Sequence, residues 1–567
     1  MTSQGRRWTG FFSGLIIAGL VAGCGGQDPA FTVEPQIRTD PDGPAPLTAE
    51  LSFAATAGAD TVVTIGEGPQ AVHYRMGRLL EGTASLPLIG LAAGRSTPVT
   101  ITLSLEGRSL THSLLVDAPP PPADPAEFPN IEVRHADLDR MEPGWRLLNP
   151  RRRLPRETAM GTADERAFGR SFGMLLMIDA AGTPVWMHRT ASRVSDFDLL
   201  PDGRILYMTQ DHRIFETDLL GQDLAAWYAA PEVHDEVRGT RIDALGVHHD
   251  VERIDEETLA VLAPVHRVVD GYLPDLFPSF PQGPIGVMGD EVLFVGRDGA
   301  ITWRWNVFDH LDISRAGYET NLEYWGRRGF PDTVDWSHAN ALIVSEDAST
   351  VLVNFRYLSA LVKIDRASGE IIWIFGEPSG WPEHLQDRLI RLEGDARWFW
   401  HQHAPQITSR GTILFFDNGN YRARPPEPPA PITDTWSRAV EYEIDEETLT
   451  AREIWSSETA GDPRVVAIAM GGVDALPVTG NVLVGFGALL DTERLSEIDW
   501  DTRFRIGQWT RATEYTRTTP SERVWDAELT ARPGTEAGWT IFGIDHVDPA
   551  IVERFVRSKA RGFAQDG

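Results

Sequence analysis

The alternation of apolar and polar residues predicts a chain built almost entirely of β-strands. Between residues 46 and 117, short alternating runs recur roughly every ten residues and are separated by turn-forming residues. Helical periodicity is weak nearly everywhere else in the sequence. Strands of this length and spacing are typical of a small sandwich of immunoglobulin or fibronectin type. We therefore expect an all-β protein that begins with an N-terminal β-sandwich domain over residues 46–117.

From residue 130 to residue 567 the pattern repeats in larger units, in which an apolar strand, a turn and a second strand end in tryptophan. These endings are Trp186, Trp227, Trp303, Trp373, Trp455 and Trp525. The first unit is followed by two apolar strands joined by Asp202-Gly203, which is a hairpin signal. Two hairpins per unit make a four-stranded blade, so six units predict a six-bladed β-propeller. A solenoid or two sandwiches are alternatives, but a sandwich does not explain the repeated tryptophan.

The N-terminus has the features of a bacterial export signal. Arg6 and Arg7 precede an apolar run, and small residues then lead to Cys24. This order predicts a lipoprotein signal peptide over residues 1–24 with lipidation at Cys24, in preference to an ordinary signal peptide or a membrane anchor. We expect a periplasmic or cell-surface lipoprotein that the lipid holds to the outer membrane. Because Cys24 is the single cysteine, the sequence excludes a disulfide within the chain.

Two segments rich in proline separate the expected domains. Residues 25–45 also contain Asp and Gly, and predict a flexible tether. Residues 118–129 include four consecutive prolines and predict a stiff linker before the propeller.

The charge of the chain limits its partners. Asp and Glu number 82 against 52 Lys and Arg, which gives a formal charge of −30. A surface of this sign repels nucleic acid, so we expect no nucleic-acid partner, and an anion must bind in a local pocket. The sequence leaves the oligomeric state open, a homodimer included.

Aligning the first strands of the repeats by their turns places three histidines at equivalent positions, namely His249, His338 and His403. Innermost strands would direct these imidazoles to one end of the central channel. An arginine follows each histidine after 18, 18 or 19 residues: Arg267, Arg356 and Arg422. The alignment favours His249 over its neighbour His248 as the side chain that faces the channel, and it turns His401 away.

Three converging histidines could bind zinc or copper. The arginines and Asn340 in the same ring, however, would repel a dication and would donate charge-assisted hydrogen bonds to an anion. We therefore expect an oxyanion site with no metal and no other cofactor. A neutral imidazole beside a cation is also a plausible nucleophile toward an anionic substrate.

Three segments carry a resemblance to a known family: His248-His249-Asp250, Asp335 to Asn340 with Arg356, and Gln402-His403 followed by Phe416 to Gly419. Their order and spacing are similar to the signature segments of the bacterial arylsulfate sulfotransferases. The resemblance implies transfer of a sulfuryl group from a phenolic sulfate ester to a phenolic acceptor, without a nucleotide donor. The absence of a Gly-rich phosphate loop from the sequence agrees with that reaction.

The same resemblance implies roles for individual residues. His403 would be the nucleophile of a ping-pong reaction and would form a sulfohistidine. His338, Arg356 and Asn340 would hold the sulfuryl oxygens, and His249 would act as acid or base. His248, Arg267 and Arg422 are further candidates for substrate binding. Two alternatives remain at this stage: a surface propeller that binds a ligand without chemistry, and a metal-dependent aryl-sulfate hydrolase.

Overall fold

The computed structural model of the chain describes residues 28–80, 82–158, 161–229, 238–458 and 464–564. The predicted signal peptide and Cys24 lie outside these residues. Within them, no helix is long and apolar enough to cross a membrane.

The N-terminal part forms two sheets that share one core. Its strands are β1 (Phe31–Thr39), β2 (Thr48–Ala55), β3 (Asp60–Ile65), β4 (Val72–Arg78), β5 (Thr83–Ile89), β6 (Ser96–Leu105) and β7 (Arg108–Asp117). One sheet has the order β1-β2-β5 and the other β4-β3-β6-β7. Alternate residues of β6, Val99, Ile101 and Leu103, are fully buried in the core. The period of two in the sequence therefore produces one buried face and one polar face.

The structure contradicts the prediction of a flexible tether in the middle of residues 25–45. Phe31–Thr39 forms β1, which pairs antiparallel with β2. Phe31 and Ile37 pack against the N-terminal core. The proline content concealed these apolar anchors, and Pro35 is tolerated because β1 lies at the edge of its sheet.

The remaining strands run from residue 130 to residue 547. They are β8 (Asn130–Ala136), β9 (Trp145–Leu148), β10 (Arg151–Arg153), β11 (Gly173–Ile178), β12 (Pro184–Thr190), β13 (Val194–Leu199), β14 (Arg204–Thr209), β15 (Arg213–Asp218), β16 (Asp223–Ala229), β17 (Thr240–Ile242), β18 (Val251–Arg253), β19 (Thr258–Asp270), β20 (Pro284–Gly296), β21 (Ile301–Asn306), β22 (Thr333–Asp335), β23 (Ala339–Val344), β24 (Thr350–Phe355), β25 (Ala360–Asp365), β26 (Ile371–Gly376), β27 (Arg391–Leu392), β28 (His403–Ile407), β29 (Ile413–Asp417), β30 (Arg438–Asp445), β31 (Thr450–Ser456), β32 (Gly472–Ala475), β33 (Val482–Leu489), β34 (Trp509–Tyr515), β35 (Arg523–Thr530), β36 (Gly538–Thr540) and β37 (Ile544–Val547).

These strands form consecutive sheets, which we number in chain order. The first sheet is β12-β11-β9-β37, the second β13 to β17, and the third β18 to β21 with β22 beside β20. The fourth is β23 to β26, the fifth β27-β31-β30-β29-β28, and the sixth β32-β33-β34-β35-β8. The first and sixth sheets thus combine strands from both ends of this region, and the small pair β10-β36 does the same.

The helices are α1 (Ala163–Arg170), α2 (Glu323–Gly326) and α3 (Pro549–Lys559). Thr162 and Glu165 form a capping box at the start of α1. Helix α3 packs against β4 and β5, so the C-terminal segment contacts the N-terminal sheets.

Five of the six repeated tryptophans lie in the last antiparallel strand of their sheet, whereas Trp525 lies in β35, which also pairs with β8. Most of them bond to the following sheet. The Trp186 indole donates to Leu219 O at 2.7 Å, and the Trp227 indole donates to Arg297 O at 3.2 Å. The Trp525 indole donates to Ala180 O of the first sheet at 2.8 Å. The acceptors lie in the turns before the tryptophan strands. The tryptophan repeat therefore links neighbouring sheets, and its last member returns to the first.

The inner edges of the sheets also contact one another in order. Strands β13, β18, β23, β28 and β32 are each adjacent to the next, and β37 joins β32 to β13. Carboxylates connect several of these strands. Asp196 accepts from Val251 N at 3.1 Å, Asp250 from Leu342 N at 2.6 Å, and Asp474 from His546 N at 2.8 Å. Side chains at the beginnings of these strands are therefore brought close together.

Candidate active site

A cavity of about 500 Å³ lies where the inner strands begin. Its lining includes His248, His249, His338, His403, Arg356, Glu319, Tyr324, Tyr357, Tyr421, Met470 and Phe542. Several arginines contributed by the segments around β10, α1 and β13 line it as well. The cavity is therefore aromatic and cationic in a chain whose overall charge is strongly negative.

Left-handed backbone recurs one or two residues before three of the inner strands. His249 has φ +62°, His338 +49° and His401 +55°. Such values are uncommon for residues other than glycine and concentrate at functional sites. His401 thus shares the left-handed backbone of His249 and His338, whereas His403, which the sequence alignment placed with them, begins strand β28 and shares the cavity lining with them. The β-bulge around Ala404 shifts the register of β28 and obscured this difference in the sequence.

The His401 side chain nevertheless turns away from the cavity, as the sequence predicted. Its ring is 1% exposed and packs between Tyr357 and Tyr421. Its Nδ1 lies 4.0 Å from Glu319 Oε2. His403, at the start of β28, is the histidine of this pair that lines the cavity.

The position of the proton on His403 follows from its neighbours. Asn418 Nδ2 donates to Ala467 O at 3.0 Å and to Met470 O at 2.9 Å, so its Oδ1 must be the atom that faces His403. That oxygen lies 2.6 Å from His403 Nδ1 and accepts its proton. Nε2 therefore carries the lone pair, which accepts a 3.2 Å hydrogen bond from Met470 N.

The environment of His403 keeps the imidazole neutral. Burial, reinforced by the positive charge of Arg356, lowers the pKa of His403 to about 3. The ring is therefore neutral at pH 7, with its one proton on Nδ1, and its nucleophilic nitrogen is Nε2.

His248 and His249 form a relay that begins at a buried carboxylate. Asp290 Oδ1 lies 3.1 Å from His248 Nε2, and His248 Nδ1 lies 2.9 Å from His249 Nδ1. If the His248 proton lies on Nε2, next to the Asp290 carboxylate, then His248 Nδ1 accepts a hydrogen bond from His249 Nδ1, which leaves His249 Nε2 unprotonated. Burial and the neighbouring His338 lower the pKa of His249 well below its usual value. His249 is thus arranged as a base.

His338 is held by a carboxylate on one side and an aromatic ring on the other. Its Nδ1 donates to Asp335 Oδ2 at 2.8 Å, and its ring stacks on Tyr357 at 4.4 Å between centroids. The His249 ring lies 4.9 Å away, edge to face. These contacts fix His338 with its Nε2 available as a polar group of the cavity.

Arg356 belongs to a buried network centred on Glu319. The Glu319 carboxylate accepts hydrogen bonds from both Arg356 and Arg503. Burial alone would raise the pKa of Glu319, but the two arginines outweigh it and hold that pKa well below the usual range. Arg356 also donates to Ile468 O at 3.3 Å. Its guanidinium is therefore fixed beside the imidazoles.

The histidines are thus engaged with one another and with carboxylates or amides. Among the residues that the structure describes, no group of three His, Cys, Asp or Glu side chains is arranged to hold a metal ion.

The family model of the arylsulfotransferases (ASST) matches residues 137–526, well over half of the chain. The chain belongs to this family. Arylsulfate sulfotransferase AssT of Lelliottia amnigena is 22% identical over 497 residues, which cover 74% of this chain and 79% of that protein. AssT of Escherichia coli O6:H1 is 28% identical over 167 residues, which cover 26% of this chain and 27% of that protein.

Solved structures that the chain resembles include the β-propeller domain of Cps50 (Swd1) from Myceliophteria thermophila. It has a TM-score of 0.29 and 12% identity, and covers 65% of this chain and 85% of that one. A protein of unknown function from Bacteroides caccae has a TM-score of 0.34 and 11% identity, and covers 71% and 98% of the two chains.

In this arylsulfotransferase family member, three predicted binding residues lie outside the cavity lining. Asn340 Nδ2 donates to Gln402 O at 3.0 Å, and its Oδ1 accepts from Asn354, so it supports the backbone before His403. Arg422 stacks on Trp436 at 3.5 Å and donates to its carbonyl. Arg267 is half-exposed and packs over Phe308. Of the three arginines at the repeated spacing, Arg356 lines the cavity.

Several residues of the site had no signal in the sequence analysis. Asn418 was part of the family segment but was given no role, and Glu319 and Arg503 lie in loops without a motif. Glu319 has φ +71° and Met470 φ +63°, but these backbone angles can be read from the structure and not from the sequence. Arg151 and Phe542 reach the cavity from opposite ends of the chain.

Proposed function

We propose that the protein is an aryl-sulfate sulfotransferase that works by a ping-pong reaction through a sulfohistidine at His403. The observation that carries this proposal is the His403 imidazole, which lines the cavity and whose Nδ1 proton is held by Asn418, so that Nε2 carries the lone pair. The hydrogen bond from Met470 N to Nε2 breaks when Nε2 attacks the substrate. Membership in the arylsulfotransferase family supports the reaction class.

In the first half-reaction, Nε2 of His403 attacks the sulfur atom of a phenolic sulfate ester. The N–S bond forms while the S–O bond to the phenol breaks, and the phenolate leaves with the electron pair. Because charge accumulates on the leaving oxygen and remains on the sulfuryl oxygens, nearby donors stabilise this transition state. Arg356 is the donor closest to this role, and His338 can donate from Nε2 when its ring is the imidazolium that pairs with Asp335.

In the second half-reaction, the acceptor phenol attacks the sulfur of sulfohistidine. His249 Nε2 takes the hydroxyl proton as the new S–O bond forms and the N–S bond breaks. Because the donor phenolate has already left, His249 then releases this proton to solvent, where it balances the released phenolate, and the imidazoles return to their starting state. Proton transfer of this kind typically contributes about 10²–10⁴ in rate.

The scaffold in this proposal is a six-bladed β-propeller preceded by an immunoglobulin-like or fibronectin-like sandwich. Support for the propeller comes from the ordered contacts among the inner strands and from the Trp525 bond to the first sheet. Support for the sandwich comes from the two N-terminal sheets and their shared core.

The location in this proposal is the outer membrane, with a lipid on Cys24 and the enzyme facing the periplasm or cell surface. The arrangement of basic, apolar and small residues before Cys24 supports it. Wild-type protein should fractionate with outer membranes, and Cys24→Ala should not. Equal membrane association of both forms would contradict lipidation at this residue.

The central experiment uses a chromogenic aryl sulfate with and without added phenol. Phenol should accelerate release of the chromophore, and His403→Ala should abolish it. His73→Ala, an exposed histidine of the N-terminal part, is the matched control. Mass spectrometry of enzyme quenched with donor alone should place one sulfuryl group on His403. Release that ignores phenol would indicate hydrolysis instead, and a sulfuryl group on another residue would reject the proposed nucleophile.

A further inference from the structure

A group of three arginines lines the same cavity as His403 but takes no part in the reaction described above. Arg151 and Arg153 come from β10, and Arg193 immediately precedes β13. Arg151 donates to Val194 O at 2.8 Å and to Ser195 O at 3.1 Å, and Arg193 donates to the Gln210 side chain. Within the described residues, none of the three forms an ion pair with a carboxylate.

Arg356 differs from these three arginines in having a carboxylate as a counter-charge. Arg356 and Arg503 share the buried carboxylate of Glu319, so their charges are compensated inside the protein. The group of three has only neutral partners. Burial and the charge of Arg153 lower the pKa of Arg151 to about 9, and burial lowers that of Arg153 to about 10. Burial and both of these arginines lower the pKa of Arg193 as well.

Arg151 is buried and Arg153 and Arg193 are partly buried, and cations in such places are costly without counter-charges, although acidic residues are abundant in this chain. A ligand that brings an anion would remove the cost and gain charge-assisted hydrogen bonds. Unpaired polar atoms agree with such a ligand, because Nε of Arg153 and Nε of Arg193 are buried and have no hydrogen-bond partner among the described residues.

The three arginines lie close enough to His403 for one substrate molecule to contact both. Met470 connects the two places: its N donates to His403 Nε2 at 3.2 Å, and its Sδ lies 3.0 Å from Arg151 Nη1 and 3.9 Å from Arg153 Nη2. The Phe542 ring lies beside both places, 6.2 Å from the His403 ring and 4.9 Å from the Arg151 guanidinium. An aromatic ring in this part of the cavity can contact both.

We propose that Arg151, Arg153 and Arg193 form a second anion subsite, which binds an anionic substituent on the phenolic substrate while the reacting oxygen lies at His403. The substrates it favours are then phenols that carry a carboxylate, sulfonate or further sulfate group. The proposal rests on the proposed function, since it specifies the substrate class of that site.

The test compares acceptors of equal size that differ in charge. 4-Hydroxyphenylacetate and 4-hydroxyphenylacetamide serve as one pair, with a neutral phenol as reference and a nitrophenyl sulfate as donor. The wild type should prefer the acid over its amide by about 10- to 100-fold in kcat/KM, which is the effect of one or two charge-assisted hydrogen bonds. Arg153→Gln and Arg193→Gln should reduce this preference to about threefold or less, with activity toward neutral phenol retained.

Arg267→Gln is the control, because this arginine is half-exposed and lies outside the cavity lining. It should retain the full preference. Equal loss of activity with acid, amide and phenol in the two variants would overturn the subsite and would place the arginines around the sulfuryl group instead. A wild type without any preference for the acid would overturn it too.

Binding gives a readout that does not depend on turnover. Calorimetric titration with 4-hydroxyphenylacetate should detect binding to the wild type and to Arg267→Gln, and much weaker binding to Arg153→Gln. The amide should bind all three equally. Failure of transfer to phenol with this binding pattern intact would reject the proposed function and leave the anion subsite standing. Equal acid binding in wild type and Arg153→Gln would reject the subsite alone.

Discussion

Asn418 Oδ1 accepts the Nδ1 proton of His403 over 2.6 Å, and this one contact decides that Nε2 is the imidazole nitrogen with the lone pair. The amide cannot rotate freely, because its Nδ2 is held by the carbonyls of Ala467 and Met470. The chemistry of His403 therefore depends on a residue that need not touch the substrate.

Replacing Asn418 by leucine should impair the reaction through loss of the tautomer. We expect kcat to fall by about 10²–10⁴, the range seen when a catalytic imidazole loses the partner that fixes its tautomer. Rapid-quench kinetics should show slower formation of sulfohistidine, and the KM for the donor should change little. Asn418→Asp keeps an oxygen acceptor for Nδ1 and should retain more activity than the leucine variant. Equal activities of the two variants would contradict a role in tautomer selection.

The pH dependence of the first half-reaction should reflect the low pKa of His403. Burial and Arg356 lower this pKa to about 3, so Nε2 stays unprotonated as the pH falls until that value is approached. An imidazole with an ordinary pKa of about 6.5 would lose its nucleophilic form much earlier. We expect kcat/KM for a nitrophenyl sulfate to fall less than about threefold between pH 7 and pH 5.5. Circular dichroism over the same range checks that the fold persists. A tenfold fall across this range would contradict the assignment.

Glu319→Gln should destabilise the protein, because two buried arginines lose their shared counter-charge. Removing one partner of a buried ion pair typically costs about 3–5 kcal/mol. Urea unfolding should show a loss of this size in the free energy of unfolding. Glu323→Gln is the control: its side chain is 51% exposed and pairs with Arg327 on the protein surface, so its effect should stay below about 1 kcal/mol. Similar losses in both variants would contradict the compensation of Arg356 by Glu319.

Two of the repeated tryptophans, Trp455 and Trp373, differ in whether the indole nitrogen forms a hydrogen bond. The Trp455 indole donates to Thr516 O at 3.1 Å, whereas the buried Trp373 indole nitrogen has no hydrogen-bond partner within the part of the chain that the structure describes. Both Trp→Phe changes remove a similar buried volume. Trp455→Phe also leaves a buried carbonyl without its donor, so it should cost about 1–3 kcal/mol more than Trp373→Phe. Equal losses in the free energy of unfolding would show that the indole bonds contribute little.

Of the three arginines at the repeated His-to-Arg spacing, we expect only Arg356 to affect activity strongly. Arg356→Gln should reduce kcat by at least about 10², since it removes a cation beside the reacting group. Arg267→Gln and Arg422→Gln should leave kcat/KM within about threefold of wild type, because their side chains pack on Phe308 and Trp436. Steady-state kinetics with one donor and one acceptor suffices. A large loss of activity in Arg267→Gln would support the prediction that the arginines at this spacing all contribute to the site.

The sequence was most informative where side chains repeat within a strand. Five of the six tryptophan endings lie in the last antiparallel strand of their sheet, and alternation located the N-terminal strands, because both patterns are local. His403 and Arg356 were also found, through the family's segments. The spacing of the arginines failed because strand lengths differ. Arg267 lies within the 13-residue strand β19, whereas Arg356 directly follows the six-residue strand β24.

The rest of the site depends on contacts between distant parts of the chain. Glu319 comes from a loop after β21, Arg193 precedes β13, and Met470 precedes β32. No local period connects such residues. Their proximity follows from the order of the inner strands, which single-sequence patterns do not contain.

The return of β37 to the first sheet sets the time at which the enzyme can first act. The cavity combines Arg151, on β10, with Phe542, just before β37, so its walls are separated by almost the whole length of the propeller region. A chain that contains His403 but has not yet folded its final strand consequently lacks part of the cavity wall, and premature termination near the C-terminus should remove activity without changing the nucleophile.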